Sequence, residues 1–325
     1  MSLCENPFMV GSLPCSCGKC EPCTKSRTNK WKNRINLESY GHESSAFVTL
    51  TYTDENLRFQ NPKTGEFTLP TLIPSDPRNF IKRIRKAHLK TIHSDTGKSP
   101  LRYYLCGEYG DTNWRPHYHM ALFGYEPCYR GQTDKLKHSE GNSCCPPCDL
   151  LKETWKLGSI DNAPLNDKTA AYVAGYITKK LTMSDDSRLE GRFPEFQRMS
   201  NRPGLGANAV EAIADALFSK FGKDMLTEHS DVPTLLTQGK TQIILDRYIK
   251  NKLRDAIGVD DETIQKTKKA HEDELLSMYA DILFDPEVPQ NKKPHSLKQF
   301  ILDQNKQKVL NLKTLHEIHK KRRNL

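Results

Sequence analysis

His117 and His119 are separated by a single residue within a stretch, His117 to Phe123, that has strand composition. Side chains alternate along a strand, so both imidazoles project from one face, where they can share a cation, while Tyr118 and Met120 point the other way. Upstream, Leu101 to Cys106 also reads as a strand, and Gly107, Gly110, Asp111 and Asn113 favour a turn between the two. An antiparallel return would bring the Glu108 carboxylate beside the imidazoles. Two histidines and one carboxylate leave coordination positions open for a divalent metal and a substrate oxygen. Asp111 can supply that oxygen in place of Glu108, and the ordinary alternative for Glu108 is an ion pair with Arg115.

Tyr172 and Tyr176 are four residues apart and share one face if the segment is helical, with Lys179 and Lys180 a turn further on. Tyrosines at this spacing also serve for packing. Beside a metal site they acquire another use. A phenol ionises near pH 10, so attack on phosphorus needs cationic help, which a metal ion and Lys179 or Lys180 can give. A phosphotyrosine link conserves the phosphodiester energy and lets a strand be rejoined without a nucleotide cofactor. Two neighbouring tyrosines let one hold the first 5′ end while the other attacks the newly copied origin.

Several elements must position these groups. Ala46 to Tyr52 alternates β-branched and aromatic residues and reads as a strand. Pro, Gly, Asn and Asp interrupt residues 54 to 77, which predicts loops. A helix follows, capped by Ser75 or Asp76, with Pro77 in its first turn; Phe80, Ile81, Ile84 and Leu89 face a core, and Lys82, Arg83, Arg85 and Lys86 face solvent. Thr169 to Leu181 places Val173, Ile177 and Leu181 on one stripe and reads as the tyrosine helix, with Gly175 costing it about 1 kcal/mol relative to Ala. Beyond Gly206 the pattern becomes helical throughout, over residues 207–221, 241–256, 261–283 and 296–323, with no convincing strand between. The last helix ends Lys320-Lys321-Arg322-Arg323, which suits either a DNA clamp or a solvated tail.

The 325 residues carry 49 Lys and Arg against 40 Asp and Glu, a net charge of +9 that favours a polyanionic partner. No run of about 18 apolar residues is present, and Met1 to Gly11 lacks a basic start followed by an apolar stretch, so an intracellular protein without a membrane span is expected. Of ten cysteines, five fall before residue 24 and four lie between residues 128 and 148, a clustering that points to metal or redox chemistry.

The motifs Arg115-Pro-His-Tyr-His119 and Tyr172-Val-Ala-Gly-Tyr176-Ile-Thr-Lys-Lys180 resemble those of the replication initiators of microviruses, the small single-stranded DNA phages, and of their gokushovirus branch in particular. Phe47-Val-Thr-Leu-Thr-Tyr52, Arg102-Tyr-Tyr-Leu-Cys-Gly-Glu-Tyr-Gly110 and Ser200-Asn-Arg-Pro-Gly-Leu-Gly206 stand in the family's order, and the similarity covers about Cys17 to Gly206. The resemblance implies an α+β fold of the HUH endonuclease superfamily, in which a central antiparallel sheet with flanking helices carries the metal histidines and a helix presents the tyrosines. It implies Mg²⁺ or Mn²⁺, with nicking of the viral strand at an origin by Tyr172 and Tyr176. The family's Cys-Gly-x-Cys-x-x-Cys is matched by Cys17, Cys20 and Cys23, with Cys15 as a further candidate. Four thiolates around Zn²⁺ would be structural, and free thiols or redox pairing are the alternative. Cys128 to Cys148 looks like an insertion.

Three regions follow: a Cys-rich basic arm over residues 1–45, an endonuclease domain over 46–206 with an insertion near 126–150, and a helical region over 207–325. Arg27, Lys30, Lys32, Arg34 and Arg115 are the candidates for holding single-stranded origin DNA. Host replication machinery, including a helicase, is the expected partner, in the cytoplasm of a host bacterium. The competing readings are a plasmid relaxase or transposase of the same chemistry, a zinc-containing DNA-binding protein without catalysis, and a metal-dependent hydrolase of small substrates.

Overall fold

Alternation along neighbouring strands organises the centre of the molecule, because each strand has one set of side chains to bury on either side. The structure is a computed structural model and describes residues 3–91, 100–131, 143–179, 185–219, 222, 231–238 and 241–323. In chain order the elements are β1 (Phe8–Val10), β2 (Leu13–Cys15), α1 (Glu21–Tyr40), β3 (Ser45–Thr51), α2 (Ser75–His88), β4 (Arg102–Tyr109), β5 (Pro116–Phe123), α3 (Pro146–Trp155), β6 (Ile160–Pro164), α4 (Asp167–Lys179), β7 (Phe196–Met199), α5 (Val210–Phe218), β8 (Leu235–Gln238), β9 (Thr241–Ile244), α6 (Arg247–Ile257), α7 (Asp261–Phe284) and α8 (Leu297–Arg323). The fold is α+β, as expected.

Residues 28–212 form one compact unit, and residues 1–27 with 213–325 form another. The first is built on an antiparallel sheet of order β6-β3-β5-β4-β7. On one face Val48, Leu50, Leu105, Tyr118, Met120 and Leu122 pack with Phe80, Ile81 and Ile84 of α2 and with Cys148, Leu151 and Trp155 of α3. On the other, Tyr104, Cys106, Ala121 and Phe123 meet Ile35 of α1 and Ala170, Val173 and Ala174 of α4. Burying each large apolar side chain contributes about 1.5–3 kcal/mol, so both faces need their helical cover. Gly107 sits between them in β4, where an added Cβ would come within 2.9 Å of the Phe196 ring and 3.1 Å of Tyr118.

Two arginines of α2 depart from the expected solvated face. Arg83 donates to the carbonyls of Thr154 and Trp155 at 2.7 and 3.3 Å, and Arg85 donates to that of Leu101 at 2.8 Å. The carbonyls at the end of α3 have no partners within the helix, so a nearby guanidinium satisfies them.

The expected domain limits also shift. The basic arm is the helix α1, and its later half belongs with the sheet because Ile35 enters that core. Residues 1–27 belong with the C-terminal unit: Met9 packs with Leu275, Phe300 and Ile301, and Asn305 donates to the Cys4 carbonyl at 2.9 Å. That unit is not purely helical, since β8 and β9 form an antiparallel hairpin. Thr241 to Ile244 is therefore strand, and the helix expected from residue 241 starts at Arg247, where the Asp246 carboxylate accepts from Ile249 N at 3.0 Å. Asp260 caps α7 in the same way, accepting from Thr263 N at 2.6 Å.

Within the sheet unit, α1 is fixed by Glu38, which is fully buried. Its carboxylate accepts from Arg102 Nε and, at 2.6 Å, from Gly206 N, with His42 Nε2 at 3.4 Å. Burial pushes the Glu38 carboxyl up, but the contacts with His42, Gly206 and Arg102 outweigh it and hold the group below its ordinary value. Since the folded pKa is depressed, the stabilisation is complete above the unfolded value and is lost as pH falls through the folded one. Glu38→Ala is expected to cost about 3–5 kcal/mol at pH 7, as breaking one side of a buried pair does. Urea unfolding should show the gap from wild type narrowing below about pH 4.3, the ordinary glutamate range. A constant gap down to pH 3 would mean that the charge of Glu38 does not contribute.

Candidate active site and metal centres

The β4–β5 pairing sets Glu108 opposite His117 and Cys106 opposite His119. Directly paired residues share a face, so the carboxylate and both imidazoles converge there. Glu108 Oε1 lies 2.7 Å from His117 Nε2 and 2.8 Å from His119 Nε2. Arg115 pairs with Asp54 at 2.6 Å and donates to the Tyr52 carbonyl at 2.7 Å, so the ion pair between Glu108 and Arg115 does not form. Asp111 lies in the exposed turn after β4, outside the three-donor group.

The proton positions within this group follow from its neighbours. A carbonyl oxygen can only accept, so His117 Nδ1, 3.0 Å from Arg115 O, carries the hydrogen and a neutral ring then presents a lone pair at Nε2. His119 Nδ1 is 3.0 Å from Thr49 Oγ1 on β3, which fixes its ring in the same sense. Burial pushes the His119 imidazole below its ordinary value, more than the hydrogen bond to Glu108 and the charges of Glu108 and Asp161 raise it. Burial raises the Glu108 carboxyl, but its contacts with His117 and His119 outweigh that and hold it low. A carboxylate facing imidazole lone pairs is repulsive unless a cation lies between them. Glu108 Oε2 is buried without a hydrogen-bond partner among the described residues, a second oxygen available to the same cation. An octahedral ion with bonds of about 2.1 Å separates adjacent ligands by about 3.0 Å, close to the distances seen here. Glu108, His117 and His119 thus fit a hard divalent cation.

Tyr172 sits at the rim of this group. Its ring meets the edge of His119 at 5.0 Å and of Phe47 at 5.8 Å, and the residue is 43% exposed. Helix α4 is held at its start, where Asp167 receives Lys32 Nζ at 3.1 Å and Asn36 Nδ2 at 2.8 Å from α1. Tyr176 and Lys179 lie on the same helix, but their side chains fall outside the described residues, as does the whole of Lys180. Asp161 of β6, which sequence reasoning passed over, stands opposite Thr49 and therefore on the histidine face. Its only signal was alternation within Ile160-Asp-Asn-Ala-Pro164.

The candidate DNA contacts divide. Lys30 is exposed, and Arg27 is exposed while donating to the Gly18 carbonyl. Lys32 is committed to Asp167, and Arg34 donates to Leu205 O at 2.9 Å while lying over the Trp31 ring. Arg115 retains partial exposure beside Asp54.

Four thiols of the N-terminal segment form a separate group, and its fourth member is Cys4 rather than Cys15. Cys15 is tied into β2, paired with Phe8 of β1, and the hairpin between those strands returns the chain so that Cys4 meets Cys17, Cys20 and Cys23. Cys17 Sγ is 4.0 Å from Cys23 Sγ, and Cys20 Sγ is 3.9 Å from Cys4 Sγ. Zinc–sulfur bonds of about 2.3 Å in a tetrahedron place sulfurs about 3.8 Å apart, so the group fits Zn²⁺. Backbone N–H groups of Cys20 and Lys19 pull the Cys17 thiol down to about 6, the thiolate form a metal requires. Cys4 could not be found from the Cys-x-x-Cys spacing, because only the intervening hairpin brings it in.

Residues 45–181 match the family model of the ORF2 class of replication-associated proteins. The matched segment runs from β3 through α4 and so contains the three donors and both tyrosines. Among individual relatives, the chain is 28% identical over 213 residues to replication-associated protein VP4 of Bdellovibrio phage phiMH2K, covering 65% of this chain and 62% of that one. It is 26% identical over 268 residues to replication-associated protein ORF4 of Chlamydia phage 1, covering 82% and 60%. To replication-associated protein ORF2 of Spiroplasma virus 4 it is 30% identical over 202 residues, covering 62% and 58%. The chain spans about three fifths of the length of these relatives. No solved structure matches it. The resemblance to microvirus-like replication initiators drawn from the motifs stands on these matches.

Two outcomes are expected from metal titration of the purified chain. Glu108→Ala and His117→Ala should each weaken Mn²⁺ binding by ~10-fold or more, read from the electron-spin resonance of free Mn²⁺; unchanged isotherms for both would remove the metal assignment. Cys4→Ser should lose bound zinc, measured by elemental mass spectrometry, while Cys15→Ser should retain it. The reverse pattern would restore Cys15 as the ligand.

Proposed function

We propose that the chain starts rolling-circle replication of a small single-stranded DNA phage by nicking one strand with a tyrosine nucleophile. The observation that carries this reading is the contact between the partly exposed Tyr172 ring and His119, at 5.0 Å, beside a three-donor group fitted to a divalent cation. The names of the relatives support the replication role, since each is called a replication-associated protein of a phage or virus.

In the proposed reaction the Tyr172 phenolic oxygen, having given up its proton, forms a bond to phosphorus. The bond from phosphorus to the 3′ oxygen breaks, and that oxygen takes up a proton and leaves as a 3′ hydroxyl. The 5′ phosphate stays on the tyrosine. Mg²⁺ or Mn²⁺, when held by Glu108, His117 and His119, supplies positive charge that polarises the scissile phosphate. Thr49 and the Arg115 carbonyl hold the two imidazoles in the tautomer that points Nε2 inward. Lys179 and Lys180, close by in sequence, would favour the phenolate. Tyr176, one helical turn from Tyr172, would attack at the copied origin, and the free 3′ hydroxyl would reverse the link and rejoin the strand.

Arg27 and Lys30 are the exposed members of the candidate DNA-binding set. Unwinding would fall to host replication machinery, including a helicase, in the cytoplasm of the host bacterium; no described helix is long and apolar enough to cross a membrane. Zn²⁺ on Cys4, Cys17, Cys20 and Cys23 would be structural.

The test uses a labelled single-stranded oligonucleotide spanning the candidate origin, Mn²⁺, and denaturing gels. Wild type should give a labelled protein adduct, Tyr172→Phe and Tyr176→Phe should each retain some, and the double variant none. His119→Ala should reduce nicking by ~10²-fold while altering salt-sensitive DNA affinity much less. Tight DNA binding with no adduct under any condition would replace this reading with that of a non-catalytic DNA-binding protein.

A further inference from the structure

Behind the sheet, on the face away from the histidines, lies a second group of four thiols. Cys128 follows β5, Cys144 and Cys145 precede α3, and Cys148 lies in its first turn. All four sulfurs fall within 4.8 Å of one another. Cys145 Sγ is 3.4 Å from Cys148 Sγ and 4.0 Å from Cys128 Sγ, and Cys128 Sγ is 3.6 Å from Cys144 Sγ. None of these is a disulfide, which needs sulfurs about 2.05 Å apart. The distances bracket the ~3.8 Å edge of a tetrahedron around zinc.

Apolar packing alone would bring cysteines into a core, yet it would not also surround their sulfurs with hydrogen-bond donors. Asn162 Nδ2, fully buried, is 3.6 Å from Cys148 Sγ, and the N-terminus of α3 starts at Cys145. Both favour negative charge on sulfur. A Cys-x-x-Cys pair at a helix start is also the pattern of a redox dithiol. Here two more thiols meet the same point, more than a two-electron exchange uses.

We infer that Cys128, Cys144, Cys145 and Cys148 bind a second, structural Zn²⁺ as four thiolates, independent of the N-terminal group and of the nicking reaction. Each thiol releases its proton to solvent on binding. The ion fastens the segment leaving β5 to α3, and through Asn162 to β6. The inserted sequence between Cys128 and Cys144 thereby becomes a closed loop rather than a loose excursion, and α3 keeps Trp155 against the sheet, where its Nε1 donates to Thr51 O at 2.8 Å.

The experiment is zinc analysis of the full chain after exhaustive dialysis, paired with alkylation mapped by mass spectrometry. Wild type is expected to hold two Zn²⁺ per chain, Cys17→Ser/Cys20→Ser one, and Cys144→Ser/Cys148→Ser one. Should the last variant fail to fold, wild type alone decides. Cys144, only half-buried, is expected to be alkylated at least tenfold more slowly in the zinc-loaded protein than after removal of zinc with a chelator. Two zinc ions with zinc-dependent protection of Cys144 support the site. A single zinc retained in Cys144→Ser/Cys148→Ser, equal alkylation of Cys144 with and without zinc, or a Cys145–Cys148 disulfide would each overturn it.

Discussion

The antiparallel register between β4 and β5 is the constraint on which the rest depends. Shifting it by one residue would carry His117, His119 and Glu108 to opposite faces and expose the core set of Tyr118, Met120 and Leu105. The same pairing that buries one apolar row therefore gathers three metal donors on the reverse side. Stability and chemistry are not separately specified in these strands. The buried phenol of Tyr118, 2.8 Å from Tyr52 Oη and accepting from Ile73 N at 2.9 Å, fixes the register from behind.

The helices on the histidine face have unequal tasks. Helix α1 is anchored by a buried carboxylate and in turn supplies Lys32 and Asn36 to Asp167 at the start of α4. Helix α4 buries Ala170, Val173 and Ala174 while leaving Tyr172 at the rim. Positions 170, 173 and 174 define a packed stripe, and position 172 falls outside it. A tyrosine meant for packing would occupy the stripe itself, so the helical period separates the residues that hold from the one that can meet a strand of DNA.

The three donors and the tyrosine helix were legible because their signals are local: period two, a turn of a few residues, and an apolar stripe at spacing four. Helix α1 was missed as a helix because Lys25, Arg27, Lys30, Lys32 and Arg34 are distributed along it without a clean apolar stripe. Strands β6 and β7 are only 5 and 4 residues long, too short for alternation to stand out. In the C-terminal region, Thr241 to Ile244 looked like the start of the following helix until its pairing partner, 235–238, was known. Cys4 and the Cys128 to Cys148 group depended on hairpins and loops that spacing cannot reveal. Short-range chemistry could be read; long-range closure could not.

Glu108 and His117 are 9 residues apart in the chain, whereas the bond from Gly206 to Glu38 spans 168. Loop-closure entropy grows with the logarithm of separation, so the longer contact costs about 2.6 kcal/mol more to close. A hairpin of this size forms in microseconds, well before contacts that must wait for the whole sheet. The metal donors therefore come together as soon as one hairpin closes, and the tyrosine arrives later, with α4. Order of assembly thus runs opposite to topological distance: the part that must be placed most accurately is the part the chain can find first.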